Sequence, residues 1–500
     1  MMNKTVLFII LTFIFARMSV VLAGSGEYNI LEYGAIPDGE TKTTSAIQKA
    51  IDACAANGGG KVVFPAGRYL TGPLFLRSNI HIEILAGAVV LAHQNIEEYP
   101  VVDGRWEGIE RKIYASLFTG HDLNNITISG HGILDGQGKV WWDAHRINRK
   151  LRRQLGLEGR EPDNPSNSPL KWPRPRMINL YHCKNVLIRD VTLLNSPSWT
   201  IHPVYCQNVT IDNVSIIQPY DSPNTDGINP ESSRDVRITN CFIDCGDDCV
   251  TIKSGYNEDG RRVNIPCENV VITNCTFAHG HSAVAIGSET SGGIKNIVIS
   301  NCVFNQTKRG LRIKSARGRG NVVKNVRATN IIMDHVGTAI SFDMFYGKGG
   351  DEKDYQPVDE KTPHFFNIHY SHISGTNIER AGIVRGLPEA PIEGVSLTDI
   401  DLEAETGMEI QFTKDLELNE VTIKVKNGAA LTISESEILK LDEFTGQNST
   451  RDIPIIKLVN LNDCVIRNSK LIGDTGKFIE KAGENCEIKV IDTEMIYNIP

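Results

Sequence analysis

The chain has 500 residues, 41% of them hydrophobic, with 44 glycines, a formal net charge of −8 and a pI near 5.9. This acidic balance argues against a nucleic-acid partner, which calls for a basic face, but it is compatible with an anionic sugar polymer held in a local basic cleft. The length fits two or three average domains, or one elongated repeat domain whose length follows coil number rather than core volume.

The N-terminus reads as an export signal over residues 1–23. Lys4 supplies the positive start, Val6 to Phe15 an apolar core broken only by Thr12, and Val21 to Ala23 a small-residue cleavage site. Arg17 is the one discordant residue. The apolar run is short for a membrane span, and no later stretch approaches ~20 apolar residues. The expected product is a secreted or periplasmic protein with no membrane or lipid anchor.

Residues 24–500 read as a single domain. Thr43 to Ala56 carries an apolar stripe at helical spacing, Ala46, Ile47, Ala50, Ile51 and Cys54. Thr43 to Ser45 offers an N-cap, and Gly58 to Gly60 a stop. Strand patterns begin at Lys61. From there one template recurs: Asn185–Val191, Asn208–Val214, Asp235–Cys241, Asn269–Cys275, Asn296–Cys302 and Asn325–Ile331, with weaker copies at Val395–Asp399 and Ile488–Asp492. The leading Asn/Asp marks are 23, 27, 34, 27 and 29 residues apart, a period that signals a solenoid or propeller. Alternating Val, Ile and Thr make each unit a strand. An Asn or Asp at the unit's end suits a turn whose side chain bonds the next coil. A propeller blade needs ~40 residues and internal hairpins, so the template predicts a parallel β-helix, all-β, with the 43–56 helix capping its N-terminal edge.

Ala144 to Arg176 interrupts the pattern with Arg146, Arg149, Lys150, Arg152 and Arg153. It reads first as a solvated helical insert and second as a basic rim. The eleven cysteines, seven of them between Cys206 and Cys302, show no metal-ligand spacing. They read as small buried residues, with a Cys249–Cys275 bridge as the alternative. The sequons at Asn213 and Asn274 fall on ladder positions, where a buried side chain would be out of reach of glycosylation.

Three carboxylates carry the chemistry. Asp226 sits in Asn224–Gly227, and Asp247 and Asp248 sit in Cys245–Cys249. Adjacent carboxylates repel, so one holds a proton near neutrality, and a protonated acid beside an ionised base is what glycoside hydrolysis needs. Arg312 and Lys314 alternate on a strand and share one face, a fit for a sugar carboxylate. Arg309, Arg317 and Arg319 read as ordinary surface cations. Trp199 and His202 are weaker cleft candidates.

These motifs together resemble glycoside hydrolase family 28, the polygalacturonase family. The resemblance rests on Asn224–Asp226, Gly246–Asp248, Gly280–Ser282 and Arg312–Lys314 in that order, with Tyr33–Ala35 and Ile133–Gly138 upstream, and extends from about Tyr33 to Tyr346. Ser282 departs from the family's glycine, which implies different substrate packing there. The resemblance implies a right-handed parallel β-helix, a pectic polysaccharide or oligogalacturonide substrate and inverting hydrolysis of α-1,4-galacturonide bonds, in exo or endo mode. It implies Asp248 as general acid and Asp226 and Asp247 as the pair that holds and deprotonates water. His281 would tune the acid. Asn224, Arg312, Lys314 and Tyr346 would bind the sugar, with no metal or cofactor and a monomeric protein. A rhamnogalacturonan or xylogalacturonan hydrolase is the nearest alternative. A calcium-dependent pectate lyase and a non-enzymatic carbohydrate-binding β-helix are more distant ones.

Overall fold

The computed structural model describes residues 26–157, 164–347 and 354–497; the expected signal segment lies outside them. Strands stack in parallel register into a right-handed β-helix whose coils each present three faces. One coil runs through Lys184–Arg189, Thr192–Leu194 and Ile201–Val204. Alternation puts every second side chain inside. The inward positions of the first face therefore form vertical columns: Ile126, Val186, Val209, Val236, Val270, Ile297 and Val326 lie one above another. All seven are buried, and each such burial contributes on the order of 1.5–3 kcal/mol. The parallel stacking continues to Glu494–Tyr497.

The template's leading residue makes the most continuous side-chain ladder. Asn79, Asn125, Asn185 and Asn208 are joined amide to amide, each of the last three donating to the coil before it at 2.7–2.9 Å. A second run links Asp235, Asn269, Asn296, Asn325 and Asn367 at 2.6–3.0 Å. All nine have φ between 57° and 61°. Asn and Asp tolerate this left-handed corner better than other side-chain-bearing residues, and an amide can donate up one coil while accepting from the other side. The trailing residues, Asn213 and Asn274 among them, also turn at positive φ. Contrary to expectation their side chains are exposed, because this corner points outward; Asn213 donates to Asp190 at 2.7 Å.

Helix α1, Thr44–Ala56, covers the first coils with Ile47, Ala50, Ile51 and Cys54 buried. Thr43 does not cap it through its side chain; its hydroxyl goes instead to the Leu70 carbonyl at 3.2 Å. Strand pairing also starts earlier than Lys61, with Glu27–Asn29 lying beside residues 61–63. The insert's helix α2, Lys139–Gln154, begins before the expected boundary and buries Trp141, Trp142, Ala144 and Asn148. An antiparallel hairpin, Val101–Trp106 with Ile109–Tyr114, stands outside the coils. Nine cysteines from Cys54 to Cys302 are buried free thiols, so Cys249 and Cys275 are not bridged. Among the described residues no helix is long and apolar enough to cross a membrane.

Asn208 both donates to Asn185 and accepts from Arg237. Asn208→Ala should lose about 1–2 kcal/mol, combining the lost bonds with left-handed strain. Asn208→Gly should lose less, because glycine takes this φ without strain. Thermal melting of the two variants against wild type checks the order.

Candidate active site

The site forms where the second face turns into the third. Backbone bonds set its geometry: Gly227 N–H donates to the Asp248 carbonyl, Cys249 N–H to the Ser282 carbonyl and His281 N–H to the Asp247 carbonyl, at 2.8–3.1 Å. Asp226, Asp248 and Ser282 are thus stacked on consecutive coils, with Asp247 and His281 beside them. The motif glycines permit this closeness. A Cβ on Gly246 would lie 2.3 Å from the Ser222 carbonyl oxygen, and one on Gly227 would lie 2.4 Å from that of Cys249.

One oxygen from each of Asp226, Asp247 and Asp248 lies within 4.8 Å of the others. Their environments differ. The side chains of Asp226 and Asp248 are 4% and 3% exposed, while that of Asp247 is 20% exposed and opens to the cleft. Lys314 Nζ is 2.7 Å from Asp248. Burial opposes ionisation of Asp248, but Lys314 and then Arg312 outweigh it and hold its pKa far below the usual range. Burial and then the charge of Asp247 push Asp226 up to about 8, although Lys253 Nζ lies 3.6 Å away. His281 Nδ1 is 3.0 Å from Asp247, and this hydrogen bond raises the imidazole's pKa. One of three crowded carboxyls therefore keeps a proton near neutrality, and Asp248 is the one least able to hold it.

Arg312 and Lys314 extend from the strand Arg309–Lys314. Both lie by the Tyr346 ring, at 5.2 and 5.3 Å from its centroid. Tyr346 and the two cations form one wall next to the triad. Asn224 accepts from Arg174 at 2.6 Å and lies 3.5 Å from Asp247, so its amide links the triad to a buried arginine. His279 turns away to Asp244 at 2.9 Å.

Other expectations change. Ser282 is fully buried and does not reshape the cleft wall. Arg309 is half-buried beside Arg312 and Asp248. Arg317 is held by Glu389 at 2.6 and 2.8 Å, and Arg319 is buried over the Tyr256 ring. His202 is wholly buried, 3.0 Å from Glu231. Trp199 lies under the site, stacked on Trp106 at 5.3 Å with Lys253 Nζ 3.8 Å from its ring centroid.

Sequence reasoning missed this buried layer. Lys253 sits between Asp226 and Glu289. Arg105 binds Glu231 at 3.0 Å with both side chains fully buried. Arg174 and Arg176 come from Lys171–Arg176, outside the repeat. Lys253 had a readable signal: it is a lone cation on the end of the apolar strand Val250–Ile252.

Residues 61–411 match the profile of Glycosyl hydrolases family 28. A probable polygalacturonase of Vitis vinifera is 34% identical over 384 residues, covering 75% of this chain and 74% of that protein. An exo-poly-alpha-D-galacturonosidase of Dickeya chrysanthemi is 30% identical over 358 residues, covering 66% and 59%. The crystal structure of a hyperthermoactive exopolygalacturonase from Thermotoga maritima superposes with a TM-score of 0.67 at 30% identity, over 79% of this chain and 92% of that one. The matched span takes in every residue of the triad and of the Arg312–Lys314 wall, and the protein is a glycoside hydrolase of family 28.

Proposed function

We propose that the protein is a secreted or periplasmic polygalacturonase that hydrolyses α-1,4-galacturonide bonds in pectic polymers with inversion. The observation that carries this reading is the cation pair Arg312 and Lys314 beside three crowded carboxylates: acid/base groups next to a receptor for a sugar carboxylate. Polygalacturonase relatives on both the sequence and the structural side support it.

The electrostatics favour a different division of labour from the one the resemblance implies. Asp248 is clamped as an anion by Lys314, which argues against it as proton donor. Asp247 is the accessible carboxyl and has His281 behind it, so it is the group that can reach a leaving oxygen. Asp226 and Asp248 sit deeper, each near a lysine, and can hold a water and take its proton. The proton that the raised pKa keeps on Asp226 needs to move only within the triad to arm Asp247. The triad's oxygens lie within 4.8 Å of one another, closer than the ~6.5–9.5 Å carboxyl separation usual for inverting enzymes, so the inverting reading rests on family membership and not on this spacing. Three carboxylates also make a plausible cation cage, the feature a calcium-dependent lyase would use. The two ammonium groups already beside Asp226 and Asp248 disfavour a divalent ion there.

Replacing any of Asp226, Asp247 or Asp248 by Asn should lower kcat by roughly 10²–10⁴-fold. Only Asp247→Asn should recover on an aryl galacturonide whose leaving group needs no protonation. Recovery by Asp248→Asn instead would restore the implied assignment. Proton NMR of the first product should show the β-anomer; an initial α-anomer, or an unsaturated uronide, would sink the inverting reading.

Loss of the triad's proton should bring an alkaline fall in kcat/KM near pH 8, from the raised pKa of Asp226. Lys253 lowers that pKa, so Lys253→Met should move the fall to higher pH. Arg312→Ala should raise KM about 10–100-fold, because a charge-assisted bond to the uronate is lost, with a smaller change in kcat. Steady-state kinetics on polygalacturonate across pH checks both.

A further inference from the structure

Beyond the triad, toward the earlier coils and opposite the Arg312–Lys314 wall, the cleft runs into a pocket of about 500 Å³. Three elements that are not part of the repeat line it: the tip of the 101–114 hairpin, helix α2 and the segment Leu170–Arg174. Its lining includes Trp106, Trp172, Arg149, Arg153 and Arg174, and it meets the triad at Asn224.

The lining is braced. Trp141 of α2 packs edge-on to Tyr99 at 4.8 Å and against Tyr114 at 5.3 Å. Asn148 donates to Asn164 at 3.0 Å, and Asn164 donates to the Leu170 carbonyl at 2.9 Å. Arg146 bridges from α2 to Asp221 at 3.3 Å, just ahead of Asn224. Trp106 is held by its stack on Trp199 and by Arg176, 4.5 Å from its ring centroid. A solvated insert would need none of these attachments.

We propose that this pocket is a blind terminal subsite that receives the end sugar of the polymer and selects it for a free carboxylate through Arg149 and Arg153. The proposal rests on the polygalacturonase reading and deepens it. A guanidinium fork matches a carboxylate. The flat faces of Trp106 and Trp172 suit the apolar side of a sugar ring. A wall across one end of the cleft stops the chain from threading through, so cleavage falls at a fixed distance from the end. The enzyme is therefore exo-acting, and methyl-esterification of the terminal sugar blocks it.

The test compares wild type with Arg149→Gln/Arg153→Gln, melting temperature confirming the fold. Wild type should release only the shortest product from polygalacturonate from the earliest times. It should also favour trigalacturonate over the same trimer esterified on its end sugar by about tenfold or more in kcat/KM. The double variant should lose about that factor for the free acid through KM, and no longer discriminate, one charge-assisted contact accounting for a change of this size. Arg149→Lys/Arg153→Lys should keep part of the preference, since charge remains without the fork. A ladder of intermediate lengths from wild type, or an undiminished preference in the double variant, overturns the proposal. If wild type cleaves no polygalacturonate, the functional reading fails instead. Calorimetry with digalacturonate then decides the pocket separately, and equal affinity for wild type and the double variant would reject it.

Discussion

The parallel register between coils is the constraint on which everything else depends. Each strand hydrogen-bonds its counterpart one coil away, about 4.8 Å distant, so residues at equivalent positions must stack. This turns a loose sequence repeat into aliphatic columns such as Val186, Val209 and Val236. It also aligns the corners, where a backbone in the left-handed region recurs at the same place and is served by Asn or Asp. The stacking that makes the core makes the site. Asp226 and Asp248 are neighbours because the turns carrying them are in register, although 22 positions separate them in the chain.

Such stacking creates an electrostatic problem. Unpaired buried charges cost several kcal/mol each, and three carboxylates on adjacent coils multiply that cost. The structure answers with cations placed behind and beside them. Lys314 faces Asp248, and Lys253 bridges Asp226 and Glu289. Arg174 reaches the triad through Asn224. The compensation is uneven, and that is its use. Asp248 has a direct ion pair, while Asp226 has only a more distant ammonium and a charged neighbour, so their proton affinities separate. Acid and base roles come from that inequality, since the side chains are chemically identical.

The repeat was legible because solenoid contacts are nearly local: a strand's partner is one coil away and carries the same pattern. The template residues, the capping helix and the two-carboxylate motif could therefore be placed from sequence. Arg312 and Lys314 were legible for the same reason, since alternation on one strand puts both on one face. Polarity at the corners was less legible. Asn213 looked like a buried rung and is an exposed one, because burial at a turn depends on how the coil bends. Ser282 looked like a change in the cleft lining and proved to be part of the floor.

The chain by itself determined the solenoid, its period and the presence of an acid cluster followed by a basic strand, since these depend on short-range alternation and on residue types that recur at fixed spacing. Only the tertiary structure decided which aspartate is clamped, which reaches the cleft and what stands at the cleft's end. Those depend on Lys314, Arg174, the 101–114 hairpin and α2. These groups lie outside the repeat or far from the triad in sequence, and only folding brings them to it.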